Sequence, residues 1–272
     1  MKLEEQVKLE DKKYAPSLLP AKTKARISII FAAVIGFYIL STVKTGATIG
    51  DLLDGIPNMG RVVVKFFPPN FNVFIHIIEP LAVTIQMAII ATTVAAFLCI
   101  PMSLLAAQNV TSNKFVYTFV RSILNILRTI PDLVLAVIFV GLFGIGVLPG
   151  ILALIIFSLG ILAKLISETI ESVDMNPMEA MSASGANTLQ KISFALIPQV
   201  LPQFVSFVLY VFEINIRASV VLGLVGAGGI GIVLSQQLKF YNYPNAMLII
   251  LVIFVLVVAI EYISTKIREA IV

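Results

Sequence analysis

The sequence predicts an all-α integral membrane protein that crosses the bilayer about six times. Its 272 residues are 59% hydrophobic and only 12% charged, whereas about 25% of the residues of a typical soluble domain are charged. The apolar residues form long runs of roughly the length that a bilayer requires. Lysine and arginine are concentrated before the first of these runs. Together these observations exclude a soluble globular fold.

A bilayer core of roughly 30 Å requires about 20 apolar residues per helix. Six runs meet this condition, at 27–43, 81–104, 115–142, 147–166, 204–224 and 246–263. The first is interpreted as an uncleaved helix, because no small-residue cleavage site flanks it. In the third, Pro131 removes a backbone hydrogen bond and is expected to kink or break the helix.

The positive charges predict the orientation of the chain. Residues 1–26 form a basic arm, which the positive-inside rule places in the cytoplasm, with its charges on Lys2, Lys8, Lys12, Lys13, Lys22, Lys24 and Arg26. Six crossings then return the tail, 265–272, to the cytoplasm. Residues 44–73 become an external loop with a short interfacial helix over 56–67, and residues 74–264 form the transmembrane domain. The net charge of +4 is therefore attributed to basic residues that set the orientation of the chain and contact membrane lipid, not to nucleic-acid binding.

Several kinds of chemistry lack the residues they need. One cysteine and one histidine provide neither a disulfide framework nor a metal site, and no cofactor is expected. The sequence has no phosphate-binding loop of the Gly-x-x-x-x-Gly-Lys type.

A Gly-x-Gly-x-x-Gly match follows a predicted membrane helix instead of a strand, which argues against a dinucleotide site. Its glycines, Gly226, Gly228, Gly229 and Gly231, predict a flexible gate or docking loop at the external end of the fifth run. Amides of this loop could also contact an anion.

The most informative segment is 179–198, EAMSASGANTLQKISFALIP. Glu179 falls in a predicted first helical turn, where a carboxylate favours the helix dipole. Ala180 has a small side chain and Gly185 has none, so another backbone could approach this segment closely. Gly185 can also separate two short helices. Pro198 is expected to end the segment before the next span. By composition alone, an amphipathic loop on the membrane surface explains the segment equally well.

The segment resembles the EAA loop of binding-protein-dependent ABC importer permeases. Glu179, Ala180, Gly185 and Pro198 stand at the matching spacing, whereas Met181, Ala195 and Ile197 depart from the pattern. Further strings resemble phosphonate ABC transporter permeases: FFPPNF at 66–71, LRTIPDLV at 127–134, IPQVLPQF at 197–204 and FEINIRASVVLGLVGAGGIG at 212–231.

The resemblance implies the type I ABC importer permease fold in a bacterial cytoplasmic membrane. It also implies that ATPase subunits bind the EAA loop and that an extracytoplasmic binding protein delivers phosphonate, or a related anion such as phosphite or phosphate. A second permease subunit, expected to be a second copy of this chain, completes the pathway. The chain itself is then not an enzyme, since ATP is hydrolysed on the partner.

Four of the ionisable residues within the predicted spans are candidates for the translocation pathway: Arg128, Asp132, Glu213 and Arg217. Such residues cost about 2.5–3.5 kcal/mol on insertion scales and should therefore face protein or water. Each acid stands four residues from an arginine, so both pairs can close on one helix face, although Pro131 disturbs the first. The pairs are either structural, or they line the pathway and release an arginine, most plausibly Arg217, to attract a phosphonate.

Two other functions are compatible with parts of the pattern. In a secondary transporter driven by an ion gradient, Asp132 and Glu213 would serve as proton or cation sites. A membrane-embedded enzyme is disfavoured, because the sequence shows neither a metal-ligand cluster nor a convincing nucleophile–base pair.

Overall fold

The computed structural model describes residues 20–46 and 49–271, and every regular element in these ranges is a helix. The chain divides into two compact units, 1–63 and 64–272. The first contains α1, Ala21–Thr45, which ends at Gly46 in the left-handed conformation. The amphipathic α2, Ile49–Lys65, includes Pro57 and begins earlier than the short helix predicted over 56–67. Most of the predicted basic arm, residues 1–19, lies outside the described residues.

The second unit is a helical bundle that begins after a single 3₁₀ turn at Phe71–Val73. Its helices are α3 Phe74–Ala106, α4 Lys114–Thr129, α5 Asp132–Phe143, α6 Val147–Ser172, α7 Asn176–Ala183, α8 Thr188–Lys191, α9 Ile197–Leu224, α10 Ile230–Lys239 and α11 Tyr243–Ile271. A π-helical segment, Ile192–Leu196, joins α8 to α9. The chain therefore stays helical from Thr188 to Leu224.

In the described part of the chain, five helices are long and apolar enough to cross a membrane, and six if α4 and α5 count as one span. These two helices meet at an angle of 87°, where Pro131 interrupts the backbone hydrogen bonds. The predictions of an all-α fold, about six spans and a break at Pro131 are confirmed.

Several helices are longer than the apolar runs that predicted them. The fifth begins well before residue 204, and α11 continues through the predicted tail as far as Ile271. Hydropathy marks only the part of a helix that needs an apolar surface, whereas backbone hydrogen bonding continues through polar residues.

Helix α6 lies at the centre of the second unit and contacts α3, α4, α5 and α9. Its most extensive contact is with α3, which buries a row of mostly small side chains: Thr84, Ala88, Ala91, Ala95, Cys99 and Ser103. Small residues allow membrane helices to approach closely, so that dispersion contacts hold them together. At Gly160 of α6, an added Cβ would lie 3.2 Å from the backbone nitrogen of Arg128. The end of α4 is therefore held directly against α6.

Candidate functional site

Helix α7 is largely exposed, and the side chains of Met178 and Met181 anchor it to the bundle. Asp174 accepts a hydrogen bond from the backbone N–H of Asn176 at 3.0 Å, next to the start of α7. Met178 is buried in the core that α3, α4, α6 and α9 share. The next two residues, Glu179 and Ala180, are exposed. These two positions of the EAA pattern thus face away from the bundle.

Gly185 separates α7 from α8, as the sequence predicts. It adopts a φ of +83°, and a Cβ at this position would meet no atom within 4 Å. The N–H of Ala186 donates to the carbonyl of Met181 at 3.0 Å and closes the turn. A capping box follows, in which Asn187 and Gln190 exchange side-chain and backbone hydrogen bonds. These local bonds fix the turn without any partner.

Pro198 does not end the segment, contrary to the prediction. It lies exposed in the first turn of α9, and the helix runs past it. The preceding π-helical segment is wider than an α-helix. At its end, the N–H of Ile197 donates a hydrogen bond to the carbonyl of Ile192. Proline is tolerated here because the first turn of an α-helix has free amides in any case. A continuous helical connection therefore links the exposed turn to the long helix α9.

The surface formed by residues 179–194, here called the coupling surface, also exposes large apolar side chains. Leu189 and Phe194 are 75% and 73% exposed. An open depression beside Gly185 is lined by Met181, Ser184, Ala186, Gln190 and Phe194. Sequence analysis did not identify Leu189 or Phe194 as part of the site. The available signal was that both apolar residues lie close to Gly185 in the sequence. Exposed apolar groups around a depression are typical of a protein-binding surface.

The predicted pair of Glu213 and Arg217 is present on α9. Nη2 of Arg217 lies 2.6 Å from Oε1 of Glu213, whose side chain is only 8% exposed. A second arginine, Arg268 of α11, places its Nη2 3.6 Å from Oε2 of Glu213. Arg268 falls in the predicted cytoplasmic tail, 265–272, and no local sequence pattern connects it with Glu213. The carboxylate thus lies between guanidinium groups from two helices.

The predicted pair of Arg128 and Asp132 is not formed. The break at Pro131 places the two residues on different helices, so that the i, i+4 geometry is lost. Asp132 instead accepts a hydrogen bond from the N–H of Leu133 at 2.8 Å, in the first turn of α5. Arg128 is exposed at the end of α4 and forms no ion pair with any residue that the structure describes.

A fully buried polar network lies on the same stretch of α9. The side-chain amide of Asn215 donates to Oγ1 of Thr92 on α3 and to Oγ of Ser158 on α6, each at 2.8 Å. All three side chains are at most 3% exposed. Since residues two apart point to nearly opposite sides of a helix, this network and the Glu213–Arg217 pair occupy different faces of α9.

The glycine-rich loop turns the chain between α9 and α10 and packs into its own bundle. Gly228 has a φ of +93°, and a Cβ there would lie 2.9 Å from Cα of Val147. A Cβ on Gly231 would lie 2.0 Å from the carbonyl oxygen of Val220. Thr84 of α3 accepts a hydrogen bond from the N–H of Ile230 at 2.8 Å. The close approach that these glycines allow is therefore made here by other helices of this chain.

The described residues contain no group of three or more histidine, cysteine, aspartate or glutamate side chains that could hold a metal ion.

Comparison with known proteins gives consistent matches. The model of the family "Binding-protein-dependent transport system inner membrane component" matches residues 99–269. The phosphite transport system permease protein PtxC of Stutzerimonas stutzeri is 38% identical over 218 residues, which are 80% of this chain and 79% of the relative. The phosphate-import permease protein PhnE of Mycolicibacterium smegmatis is also 38% identical over 218 residues, 80% of this chain and 41% of that protein.

Among solved structures, a chain of the MetNI methionine ABC transporter in an inward-facing conformation matches with a TM-score of 0.64 and 21% identity. The match covers 75% of this chain and 99% of that chain. At this identity, the likeness concerns the fold.

Proposed function

The chain belongs to the family of binding-protein-dependent transport system inner membrane components, and from this membership we propose that it is the permease subunit of an ATP-driven importer of phosphorus oxyanions. The names of the two relatives, a phosphite and a phosphate permease, and the resemblance to phosphonate permeases support this class of cargo. ATP is hydrolysed on a partner subunit, and an extracytoplasmic binding protein delivers the anion.

The coupling surface is the observation that carries this proposal. Its exposed positions Glu179, Ala180 and Gly185 form a knob that is stiffened by its own hydrogen bonds and anchored by Met178. Pro198 lies exposed just beyond the knob, in the first turn of α9. A continuous helix leads from this knob to Glu213 and Arg217. The ATPase binds the knob, and closure of its nucleotide sites moves α9 as a lever, which shifts the permease between two states.

The same proposal orients the chain. The coupling surface and both termini face the cytoplasm, where ATP is present, and six crossings place them on one side. Helix α9 is about 42 Å long at 1.5 Å per residue, so its far end, with Gly226, Gly228, Gly229 and Gly231, lies at the external face. This turn between α9 and α10 is the external gate, and its close packing against α3 and α6 supports the closed position.

Arg217 is the residue proposed to meet the anion. Its side chain is half exposed and points from the face of α9 opposite the buried Asn215 network. Planar guanidinium donors suit the oxygen atoms of a phosphorus oxyanion. Glu213 holds the arginine when the pathway is empty. Arg128, at the exposed end of α4, and Asp132, in the first turn of α5, are further candidates for the same pathway.

A reconstituted importer tests the proposed function. The chain, its ATPase and its binding protein are incorporated into vesicles, and uptake of phosphonate, phosphite and phosphate is measured. We expect uptake of at least one anion that requires both ATP on the coupling-surface side and the binding protein on the other side.

Two results would contradict the proposal. Transport by the chain alone, driven by a proton gradient without ATP, would make it a secondary transporter. Uptake of none of the three anions by a complex that hydrolyses ATP would remove phosphorus oxyanions as cargo.

A further inference from the structure

Glu213 makes two ion pairs that reach in different directions. Its Oε1 lies 2.6 Å from Arg217 on the same helix, and its Oε2 lies 3.6 Å from Arg268 on α11. The carboxylate is almost fully buried, whereas the side chains of Arg217 and Arg268 are 50% and 28% exposed. A single buried acid therefore holds two partly accessible cations.

The cluster carries more positive than negative charge. Arg268 also donates to the carbonyl of Ser264 at 3.4 Å and to Oγ1 of Thr265 at 3.2 Å, both neutral groups. No second acidic side chain among the described residues pairs with either arginine. Two guanidinium groups, one from α9 and one from α11, thus share one nearly buried carboxylate. An unbalanced cation in such a place is costly and is commonly matched by an anion or by water.

The position of the carboxylate indicates how an anion would enter. Each oxygen of Glu213 faces a different guanidinium, and a carboxylate and a phosphorus oxyanion bind such groups through the same charge-assisted hydrogen bonds. We propose that Glu213 is a tethered substitute for the transported oxyanion, which displaces it from Arg217 while Arg268 retains it. This inference rests on the proposed function and adds Arg268 as the second cation of the site.

The arrangement explains how a transport site can bind an anion without trapping it. When the oxyanion occupies Arg217, Glu213 keeps Arg268 as a partner and is not left as an unpaired buried charge. When the oxyanion leaves, Glu213 returns to Arg217. Competition by a tethered carboxylate weakens binding and speeds release. Loss of that competition should therefore tighten binding and slow turnover.

Equilibrium binding to the purified permease–ATPase complex, without the binding protein, provides the test. The probe is radiolabelled inorganic phosphate, with unlabelled phosphite and methylphosphonate as competitors. Glu213→Gln keeps the size of the side chain and removes its charge, so we expect phosphate affinity to rise about tenfold or more. Uptake by the full importer should show a lower KM and a lower maximal rate.

The second cation is tested by a matched pair of variants on α11. Arg268→Gln should weaken phosphate binding several-fold, because Glu213 then pairs with Arg217 alone. It should have little further effect in combination with Glu213→Gln, because that variant has no carboxylate for Arg268 to retain. Lys266→Gln removes the same charge two residues away, where the lysine pairs with the exposed Glu269, and should change nothing. Arg268→Lys should retain most of the wild-type behaviour.

The inference is overturned if Glu213→Gln assembles with the ATPase but binds phosphate no more tightly than the wild type. Should that variant fail to assemble, equal affinities of Arg268→Gln and Lys266→Gln would overturn it instead. In either case, wild-type uptake of a phosphorus oxyanion would persist, whereas failure of the proposed function would abolish uptake by the wild type itself.

Discussion

Asn215 fixes the rotation of α9 about its own axis. Its amide is bonded to hydroxyl groups on α3 and α6, and the three side chains are buried together. A rotation of α9 would break both bonds and leave polar groups without partners in a low-dielectric interior, which is unfavourable. Asn215 is therefore a positioning residue: it holds Arg217 on the opposite face, where the side chain is half exposed.

Replacing Asn215 with leucine should destabilise the bundle. Thr92 and Ser158 lose their partner, and hydrogen bonds between membrane helices contribute about 1–2 kcal/mol. We expect a lower unfolding midpoint of the purified complex and a lower maximal rate of uptake. Asn125→Leu, at an exposed position on α4, serves as the control and should leave the midpoint in place. An unchanged midpoint for Asn215→Leu would show that the network does not hold α9.

Arg217→Ala should reduce uptake at least about tenfold, since a charge-assisted hydrogen bond to the anion is lost. Assembly with the ATPase should persist, because Arg268 still pairs with Glu213. Lys239→Ala removes an exposed positive charge at the end of α10 and is expected to affect uptake little. Vesicle uptake and co-purification measure the two properties separately. Normal uptake by Arg217→Ala would return this residue to a structural role.

The ion pairs show how far sequence reasoning reaches for single residues. The pairing of Glu213 with Arg217 follows from helical spacing and was predicted. The same rule was wrong for Arg128 and Asp132, because it assumes an unbroken helix and Pro131 breaks this one. The contacts of Glu213 with Arg268 and of Asn215 with Thr92 join helices distant in the sequence. Such contacts depend on packing, for which a local pattern contains no signal.

On our proposal, coupling to the ATPase depends on the turn between α7 and α8. Its shape requires Gly185 at a φ of +83°, a conformation that costs most side chains about 1–2 kcal/mol. Within this chain there is open space around the glycine. The absence of a side chain therefore matters for the backbone and, on our proposal, for the approach of the ATPase.

Two substitutions at Gly185 separate these effects. Asparagine tolerates the left-handed conformation far better than valine does, but both add a side chain to the coupling surface. We expect both variants to insert normally, to hydrolyse ATP and to lose most uptake. The ratio of uptake to ATP hydrolysis in vesicles measures coupling. Near-normal coupling in Gly185→Asn, with loss in Gly185→Val alone, would show that backbone strain and not close approach explains the glycine.

The α9–α10 hairpin depends on a second glycine for a different reason. A Cβ on Gly231 would lie 2.0 Å from the carbonyl oxygen of Val220, so Gly231→Ala must push α10 away from α9. Overpacking of this kind costs about 1–3 kcal/mol, which should lower the unfolding midpoint. Gly36→Ala, in open space on α1, should not lower it. Equal midpoints for the two variants would contradict this packing.

Element by element, the sequence predicted which segments are helical better than where they end. The apolar runs located every long span, and Pro131 located the sharp bend. The starts of α9 and α2 were placed too late, because their first turns are polar or contain proline. The continuous helix through Pro198 was missed, since a π-helical segment has no recognisable sequence signal and resolves the conflict that proline creates.

As a whole, the chain belongs to a family of membrane components of binding-protein-dependent transport systems. The second unit holds a coupling surface at one end of α9 and a closed turn at the other, with the charge cluster between them. The resemblance found in the sequence predicted the family, and the match over residues 99–269 confirms it.

The sidedness of the coupling surface tests the central claim most directly. A cysteine is introduced by Ala183→Cys at the exposed end of α7, with the buried native cysteine removed by Cys99→Ala. A membrane-impermeant maleimide should label this cysteine in inside-out vesicles stripped of the ATPase, and rebinding of the ATPase should protect it. Intact cells should remain unlabelled. Labelling from outside intact cells would place the coupling surface away from ATP and contradict the account.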